Sequence, residues 1–311
     1  MQTHTHRLIH RHPGNPILDA SMWPYATNST FNPAATLVGE ETLLLVRVED
    51  RTGISHLSAA RSPDGVTNWR IDPEPALVPD PKHHPEEVWG IEDARITRLE
   101  EMGEWAIAYT ACSRGGPLVS LACTDDFHGF RRLGPVMPPE DKDAALFPRR
   151  FKGRWAMIHR PATAFLQGRV HMWLSFSPDL RHWGDHRILI ESRDGTWWNA
   201  NKIGLGPPPL ETEEGWLILY HGVRQTAAGC LYRLGLALLD LDDPARLIKR
   251  SDAWVFAPEE PYERIGDVGS VVFPCGWTLH EKSDLLKIYY GAADTSTCLA
   301  TASLKELLAS V

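Results

Sequence analysis

The run Trp155-Ala156-Met157-Ile158-His159 is one of five similar apolar segments that decide the fold of this chain. The other copies occupy residues 43–47, 105–109, 216–220 and 286–290. Each begins just after a turn, and their starts are about 50 to 70 residues apart, as in a repeat array. That spacing suits a four-stranded antiparallel sheet with its loops. The pattern therefore indicates one supersecondary unit used five times.

The segments around each run predict an all-β fold. Each run is followed by a second strand-like segment that usually closes on a turn such as Ser62-Pro63-Asp64-Gly65, where Pro, Asp and Gly supply turn geometry. The chain has 24 Gly and 24 Pro and little helical periodicity. We expect a five-bladed β-propeller, formed as a single catalytic domain over residues 1–311, with one short helix at residues 304–308. Residues before Asn32 are expected to pair with the last blade and close the ring.

A polar segment precedes each apolar run. In a propeller the innermost strands line a central channel, so these segments should converge on one axis. The most unusual is Glu92-Asp93-Ala94-Arg95, because charged groups between apolar residues are costly to bury unless a site uses them. A solvated surface ion pair is the alternative interpretation. The other segments are Asn32-Pro33-Ala34, Asp141-Lys142-Asp143-Ala144, Asn201-Lys202-Ile203-Gly204 and Gly266-Asp267-Val268-Gly269.

Composition excludes several classes of function. The 311 residues are 43% hydrophobic and carry a formal charge of −8, which argues against nucleic acid or an anionic membrane as a partner. The first residues lack an apolar targeting region, and no long uncharged apolar run occurs, so a cytoplasmic protein is expected. The five cysteines show no metal-type spacing, and His83-His84 has no suitable partners nearby. We therefore expect reduced thiols and neither a metal nor an organic cofactor.

The candidate chemistry combines one acid with a group of cations. The chain offers the acids Asp93 and Glu92 together with several candidate basic residues, and such donors favour an anion, with phosphate as the natural candidate. Pairing of these bases with the neighbouring Asp50, Asp141 and Asp143 is the alternative. No Gly-x-Ser-x-Gly motif occurs, so acid catalysis by a carboxylate is the most economical mechanism. The basic group consists of Arg51, Lys142, Arg149, Arg160, Lys202 and His221.

Six ordered motifs resemble those of glycoside hydrolase family 130 over about residues 32–302. The resemblance implies a five-bladed propeller and an inverting phosphorylase of β-mannosides that releases α-mannose 1-phosphate, with inorganic phosphate as co-substrate. The motifs are Glu92-Asp93-Ala94-Arg95, Lys142-Asp143-Ala144-Ala145-Leu146-Phe147-Pro148, His159-Arg160-Pro161, Lys202-Ile203-Gly204 with Pro207-Pro208, residues 212–221, and Tyr289-Tyr290-Gly291-Ala292-Ala293-Asp294.

The resemblance also implies roles for single residues. Asp93 matches the general acid, which acts through the mannosyl 3-hydroxyl. Arg51, Arg160, Lys202 and His221 match phosphate contacts, and Lys142 is grouped with them. Asn32 and Asp294 match sugar contacts, and Glu92, Arg95, His159 and Tyr220 are placed with the substrate group; Glu92 is expected to orient Arg95 or a hydroxyl.

The predicted substrates are β-1,4- or β-1,2-linked manno-oligosaccharides or mannosyl-glucose, and a homo-oligomer is possible. Two rival functions remain at this point. One is a β-mannosidase of the same fold. The other is a non-catalytic sugar-binding propeller, which would have no reason to keep both the acid and the phosphate group.

Overall fold

The computed structural model describes residues 7–162, 169–280 and 283–311 and is almost entirely β. Two short α-helices are α1 (Pro261–Arg264) and α2 (Leu304–Ser310). The strands are Ile9–Arg11 (β1), Ser29–Val38 (β2), Glu41–Glu49 (β3), Ser55–Ser62 (β4), Arg70–Ile71 (β5), Ile91–Leu99 (β6), Glu104–Ser113 (β7), Gly116–Thr124 (β8), Arg131–Pro135 (β9), Asp141–Leu146 (β10), Trp155–Pro161 (β11), Met172–Ser177 (β12), Gly184–Ile190 (β13), Lys202–Leu205 (β14), Leu210–Thr212 (β15), Gly215–Thr226 (β16), Gly229–Leu239 (β17), Leu247–Arg250 (β18), Val272–Leu279 (β19), Leu285–Ala292 (β20) and Ser296–Ser303 (β21).

The strands form five antiparallel sheets, which are the blades of a propeller. Blades 1, 2 and 3 are β2–β5, β6–β9 and β10–β13 in sequential order, and blade 4 is β14-β16-β17-β18 with β15 beside β16. Blade 5 has the order β19-β20-β21-β1. The N-terminal strand β1 pairs with β21 through Ile9 opposite Ala302, so the first and last parts of the described chain share a blade. This confirms the predicted fold and the predicted closure of the ring.

The hydrophobic core lies between the blades, and the five apolar runs are their second strands. In β16, Trp216, Ile218 and Tyr220 pack toward blade 3, whereas Leu217 and Leu219 pack toward blade 5. Because both faces of such a strand are covered, it reads as a continuous apolar run rather than an alternating one.

The helices are minor elements. Ser303 caps α2 by accepting a hydrogen bond from the Glu306 amide at 3.2 Å, a common start for a helix. The prediction of helix only at the C terminus missed α1, a single turn whose buried Glu263 accepts from Arg11 Nε at 2.7 Å. Within the described ranges, no helix is both long and apolar enough to cross a bilayer.

Candidate active site

A cavity of about 320 Å³ lies where the innermost strands of the blades meet. It contains eight of the twelve residues that the sequence singled out as site residues. These are Asn32, Glu92, Asp93, Lys142, Arg160, Lys202, His221 and Asp294. The propeller therefore brings together groups that are up to about 260 residues apart in the sequence, as radial repetition allows.

Bulges in three innermost strands aim polar side chains at the axis. The register of β2, β6 and β10 each shifts by one residue, and the bulges contain Asn32, Asp93 and Asp143. Their φ angles are +47°, +49° and +52°, a region that Asn and Asp tolerate better than most residues. A bulge re-aims a side chain and is frequent near active sites. This explains why Asn or Asp recurs at the same position in three blades.

Two glycines in the sequence motifs make room for these side chains. A Cβ on Gly204 would overlap the carboxylate of Asp143 and the ring of His221. A Cβ on Gly291 would overlap the side-chain oxygen of Asn32. These positions are glycine because a side chain from another element occupies the space.

Asp93 is buried and tied to its neighbours through one carboxylate oxygen. Its Oδ1 accepts hydrogen bonds from Asn32 Nδ2 at 2.8 Å and Arg47 Nη1 at 3.1 Å. Among the described residues, Oδ2 takes no hydrogen bond. Burial alone would raise the pKa of Asp93, but the positive charges of Arg47, Arg95 and Lys142 outweigh it and hold the pKa below its usual range.

Asp294 lies in the turn after β20, and its pKa is shifted in the opposite direction to that of Asp93. Burial, followed by repulsion from Asp93, raises the pKa of Asp294 to about 7. Two carboxyls in one cavity therefore differ in charge at neutral pH, since Asp93 is ionised while Asp294 is about half protonated. A protonated carboxyl can donate a hydrogen bond as well as accept one, which suits a contact to a sugar hydroxyl.

Replacing Asp294 with asparagine should stabilise the protein at high pH. A raised folded-state pKa means that the native state holds its proton between about pH 4 and 7, so stability falls as pH rises through that window. The gain in the Asp294→Asn variant should be near zero at pH 4 and reach up to about 4 kcal/mol at pH 8, because one pKa unit corresponds to about 1.36 kcal/mol. Thermal unfolding at pH 4, 6 and 8 measures it. A pH-independent difference would contradict the shift.

Arg160 and His221 contact Asp143, and Lys202 lines the same part of the cavity. Asp143 Oδ2 accepts from Arg160 Nε at 2.5 Å and lies 3.4 Å from His221 Nε2. Burial would raise the pKa of Asp143, but the positive charges of Arg160 and Arg95 hold it well below the usual range. Burial, together with the charges of Arg160 and Lys202, outweighs the opposing effect of Asp143 and lowers the pKa of His221 to about 3. His221 is therefore neutral at physiological pH.

Several donors in this part of the cavity lack protein partners. Among the described residues, the terminal nitrogens of Arg160 make no hydrogen bond, and no carboxylate pairs with Lys202. Burial, followed by the charge of Arg160, lowers the pKa of Lys202, as expected for a cation near another cation. His221 Nδ1 is buried without a partner. Such a set favours a bound anion, because buried polar groups otherwise find partners.

Arg51, predicted to bind phosphate, lies in the exposed turn after β3 and does not line the cavity. Arg47, four residues earlier in β3, lines the cavity instead, and its guanidinium lies 3.1 Å from the carboxylates of both Asp93 and Glu92. Glu92 also lies 3.4 Å from Lys142 Nζ. The expectation that Glu92 orients Arg95 is thus not supported by the geometry, since its partners are Arg47 and Lys142.

Arg95, His159 and Tyr220 are buried behind the cavity rather than in it. Arg95 is 1% exposed and donates to the carbonyls of Asp93, Leu205 and Gly206 at 2.8, 3.0 and 3.2 Å, joining blades 2 and 4. In β11 and β16, His159 and Tyr220 precede Arg160 and His221, so strand alternation sends them to the opposite face. These three side chains therefore have structural partners in place of the predicted substrate contacts.

Those structural partners are specific. His159 Nδ1 lies 2.6 Å from Asp141 Oδ2, and its Nε2 lies 2.7 Å from Ser175 Oγ. The Tyr220 ring stacks on Trp198 with centroids 5.7 Å apart.

The sequence did not single out Arg47, Tyr232 or Phe273, all of which line the cavity. Arg47 ends the first apolar run, where a lone cation at the end of a buried strand could have been noticed. Tyr232 lies in β17, the third strand of blade 4, and Phe273 is the second residue of β19. The fifth polar segment, residues 266–269, precedes β19 rather than lying on it, and its Val268 reaches the cavity.

One group of possible metal ligands occurs among the described residues, namely His84, Glu86 and Glu87. Glu87 is already bonded to Tyr109 Oη at 2.8 Å and Arg132 Nε at 3.0 Å. A carboxylate paired with Arg is a poor cation ligand, so the group is not a candidate centre. The expectation of no metal stays a prediction.

An axial cavity that contains both a buried acid and unpartnered cations is the geometry of an enzyme site. A family model described as beta-1,4-mannooligosaccharide phosphorylase matches residues 8–311. The chain belongs to glycoside hydrolase family 130.

Individual relatives agree with this assignment. A β-1,2-mannobiose phosphorylase from Listeria innocua is 37% identical over 257 residues, which are 83% of this chain and 69% of that protein. A β-1,4-mannooligosaccharide phosphorylase from Ruminococcus albus is 33% identical over 97% of this chain and 90% of its own. The solved structure of the Listeria innocua enzyme with β-1,2-mannobiose has a TM-score of 0.88 at 30% identity, over 97% of this chain and 98% of that one.

Proposed function

We propose that this protein cleaves β-mannosides with inorganic phosphate, with inversion, and releases α-mannose 1-phosphate. Its relatives include phosphorylases of β-1,2- and β-1,4-linked manno-oligosaccharides and of mannosyl-glucose. The observation that carries the proposal is the set of unpartnered cationic donors on Arg160 and Lys202, beside His221, in the same cavity as Asp93. A non-catalytic sugar-binding propeller would need neither.

The proposed reaction is a single inverting displacement. A phosphate oxygen forms a bond to C1 of the mannosyl ring while the C1–oxygen bond to the leaving sugar breaks. Asp93 supplies the proton for that oxygen, through the mannosyl 3-hydroxyl, as the family resemblance implies. Arg160, Lys202 and His221 hold and align phosphate, and Asn32 and Asp294 hold the ring. Because phosphate arrives as an anion, no second carboxylate is required to activate the nucleophile.

The charge state of Asp93 depends on phosphate in this mechanism. In the unliganded protein, Arg47, Arg95 and Lys142 favour the ionised carboxylate, whereas a general acid must carry a proton. A bound phosphate adds negative charge to the cavity and so raises the pKa of nearby carboxyls. Hydrogen phosphate also carries one proton, which balances the proton given to the leaving sugar.

The rival β-mannosidase would need a carboxylate free to activate water. Asp141 and Asp143 are engaged by His159 and Arg160, and Glu92 is engaged by Arg47 and Lys142. Glu140 lines the cavity and is exposed. Among the described residues its carboxylate has no hydrogen-bond partner, and unlike Asp294 it is not assigned to the sugar ring, so it is the candidate base of a hydrolase.

A product assay separates the two functions. Incubation with β-1,4- and β-1,2-linked manno-oligosaccharides and phosphate should give α-mannose 1-phosphate, detectable by its anomeric phosphorus and proton resonances. Without phosphate, turnover should be negligible. Release of free mannose at the same rate with and without phosphate would establish the hydrolase, and loss of that release in the Glu140→Gln variant would identify its base. A cytoplasmic location, which would supply phosphate, remains part of the proposal.

A further inference from the structure

A second cleft lies outside the catalytic cavity, between two loops at blade 4. It encloses about 440 Å³ and is lined by Thr196, Trp197, Trp198, Asp252, Ala253 and Trp254. Trp197 is 44% exposed and Trp254 is 46% exposed. Large exposed aromatic side chains that face one cleft often mark a binding site. Most other tryptophans of the described chain are at least partly buried by blade packing.

The two exposed rings are held in place from behind. The Arg193 guanidinium lies 4.1 Å from the ring centre of Trp197, and that of Arg233 lies 4.1 Å from Trp254. Arg193 also pairs with the carboxylate of Asp252, and the buried Trp198 donates from Nε1 to the Asp252 carbonyl at 2.8 Å. One face of each exposed indole ring is therefore covered by a guanidinium. The solvent-exposed area of each ring lies on its uncovered surface.

The two loops that form the cleft also lead into the catalytic cavity. The first loop, residues 191–201, is followed directly by Lys202. The second loop, residues 251–271, contains Val268 and Val271. The side chains of Lys202, Val268 and Val271 all line the cavity. Trp198 is four residues before Lys202, so their Cα atoms are at most about 14 Å apart. A chain substrate that extends from the cavity mouth can therefore pass over this region.

We infer that this cleft is an accessory carbohydrate site that binds a mannosyl segment of a chain substrate outside the catalytic cavity. A pyranose presents an apolar C–H face and a rim of hydroxyls. The free indole surfaces of Trp197 and Trp254 suit the first, and the Asp252–Arg193 pair at the edge offers an acceptor and donors for the second. Because the charges in the cleft are already paired, a neutral ligand fits better than an anion. The identity of the sugar rests on the proposed function.

The test is electrophoresis of the native protein in gels that contain soluble β-1,4-mannan, with a parallel gel for β-1,2-mannan. Wild-type protein should be retarded, and the Trp197→Ala/Trp254→Ala double variant should lose about tenfold or more in affinity, since it lacks both large aromatic surfaces. Trp254→Phe keeps an aromatic face and should retain most of the retardation. Ile248→Ala is the matched control, because Ile248 is 41% exposed on β18 of the same blade but outside the cleft.

Two further measurements separate this site from the catalytic cavity. The Asp294→Ala variant should remain retarded, and turnover of a mannobiose should be unchanged in the double variant, whereas kcat/KM for long chains should fall. Retardation that is independent of both tryptophans would overturn the inference, even if mannobiose is cleaved. If the double variant had a lower molecular mass in solution than the wild type but the same affinity for mannan, the inference would be overturned. The cleft would then be an interface between two copies of the protein. Retention of mannan binding by a protein that cleaves no mannoside would instead refute only the proposed function.

Discussion

Replacing Asp93 with asparagine should lower the turnover of β-mannosides by about 10²–10⁴-fold, because that is the usual contribution of a positioned general acid. Asparagine keeps the side-chain oxygen that accepts from Asn32 and Arg47, and it tolerates the φ of +49° at this position. The fold should therefore be preserved, as thermal unfolding and circular dichroism can verify. The measurement is kcat with saturating phosphate.

Leaving-group dependence sharpens this test. An aryl β-mannoside with an acidic phenol needs little protonation on departure, so the Asp93→Asn variant should lose far less activity on it than on a mannobiose. Glu92→Gln provides the control, since Glu92 lines the same cavity but pairs with Arg47 and Lys142. An equal loss on both substrates, or an equally large loss in Glu92→Gln, would remove Asp93 from the role of acid.

Replacing Arg160 with alanine should raise the apparent KM for phosphate by about 10- to 150-fold, since a charge-assisted hydrogen bond contributes about 1.5–3 kcal/mol. The KM for the mannoside should change much less. Turnover should fall as well, because Arg160 aligns the nucleophile in addition to binding it. Sulfate, which has a similar shape and charge, should compete with phosphate in the wild-type enzyme and compete weakly in the variant.

Arg51→Ala is the matched control for Arg160. Both arginines were predicted from the sequence to bind phosphate, but Arg51 lies on an exposed turn and Arg160 lines the cavity. Phosphate saturation in Arg51→Ala should match the wild type. If Arg51→Ala raised the phosphate KM and Arg160→Ala did not, the assignment of phosphate to the cations of the cavity would be wrong.

The sequence by itself determined the architecture. Five apolar runs could be recognised because the second strand of each blade is buried on both faces, and that burial leaves a local signal in consecutive residues. Each of four polar segments precedes one of these runs. Because the run marks the second strand of a blade, the segment before it could be placed on the innermost strand, at the axis. Eight of the predicted site residues, including Asp93, Arg160 and His221, follow from this local pattern and the family resemblance.

Only the tertiary structure decided which of two neighbouring residues faces the cavity and which is protonated. Adjacent residues of a strand face opposite sides, which separates His221 from Tyr220 and Arg160 from His159. One-residue bulges at Asn32, Asp93 and Asp143 change which side the following residues face. A short stretch of sequence therefore cannot show which of two neighbours faces the cavity. The pKa of Asp294 depends on burial and on the charge of Asp93, about 200 residues away in the sequence. Arg95 has a structural role because it donates hydrogen bonds to backbone carbonyls of blade 4. Long-range burial and charge, which are properties of the assembled ring, decide these features.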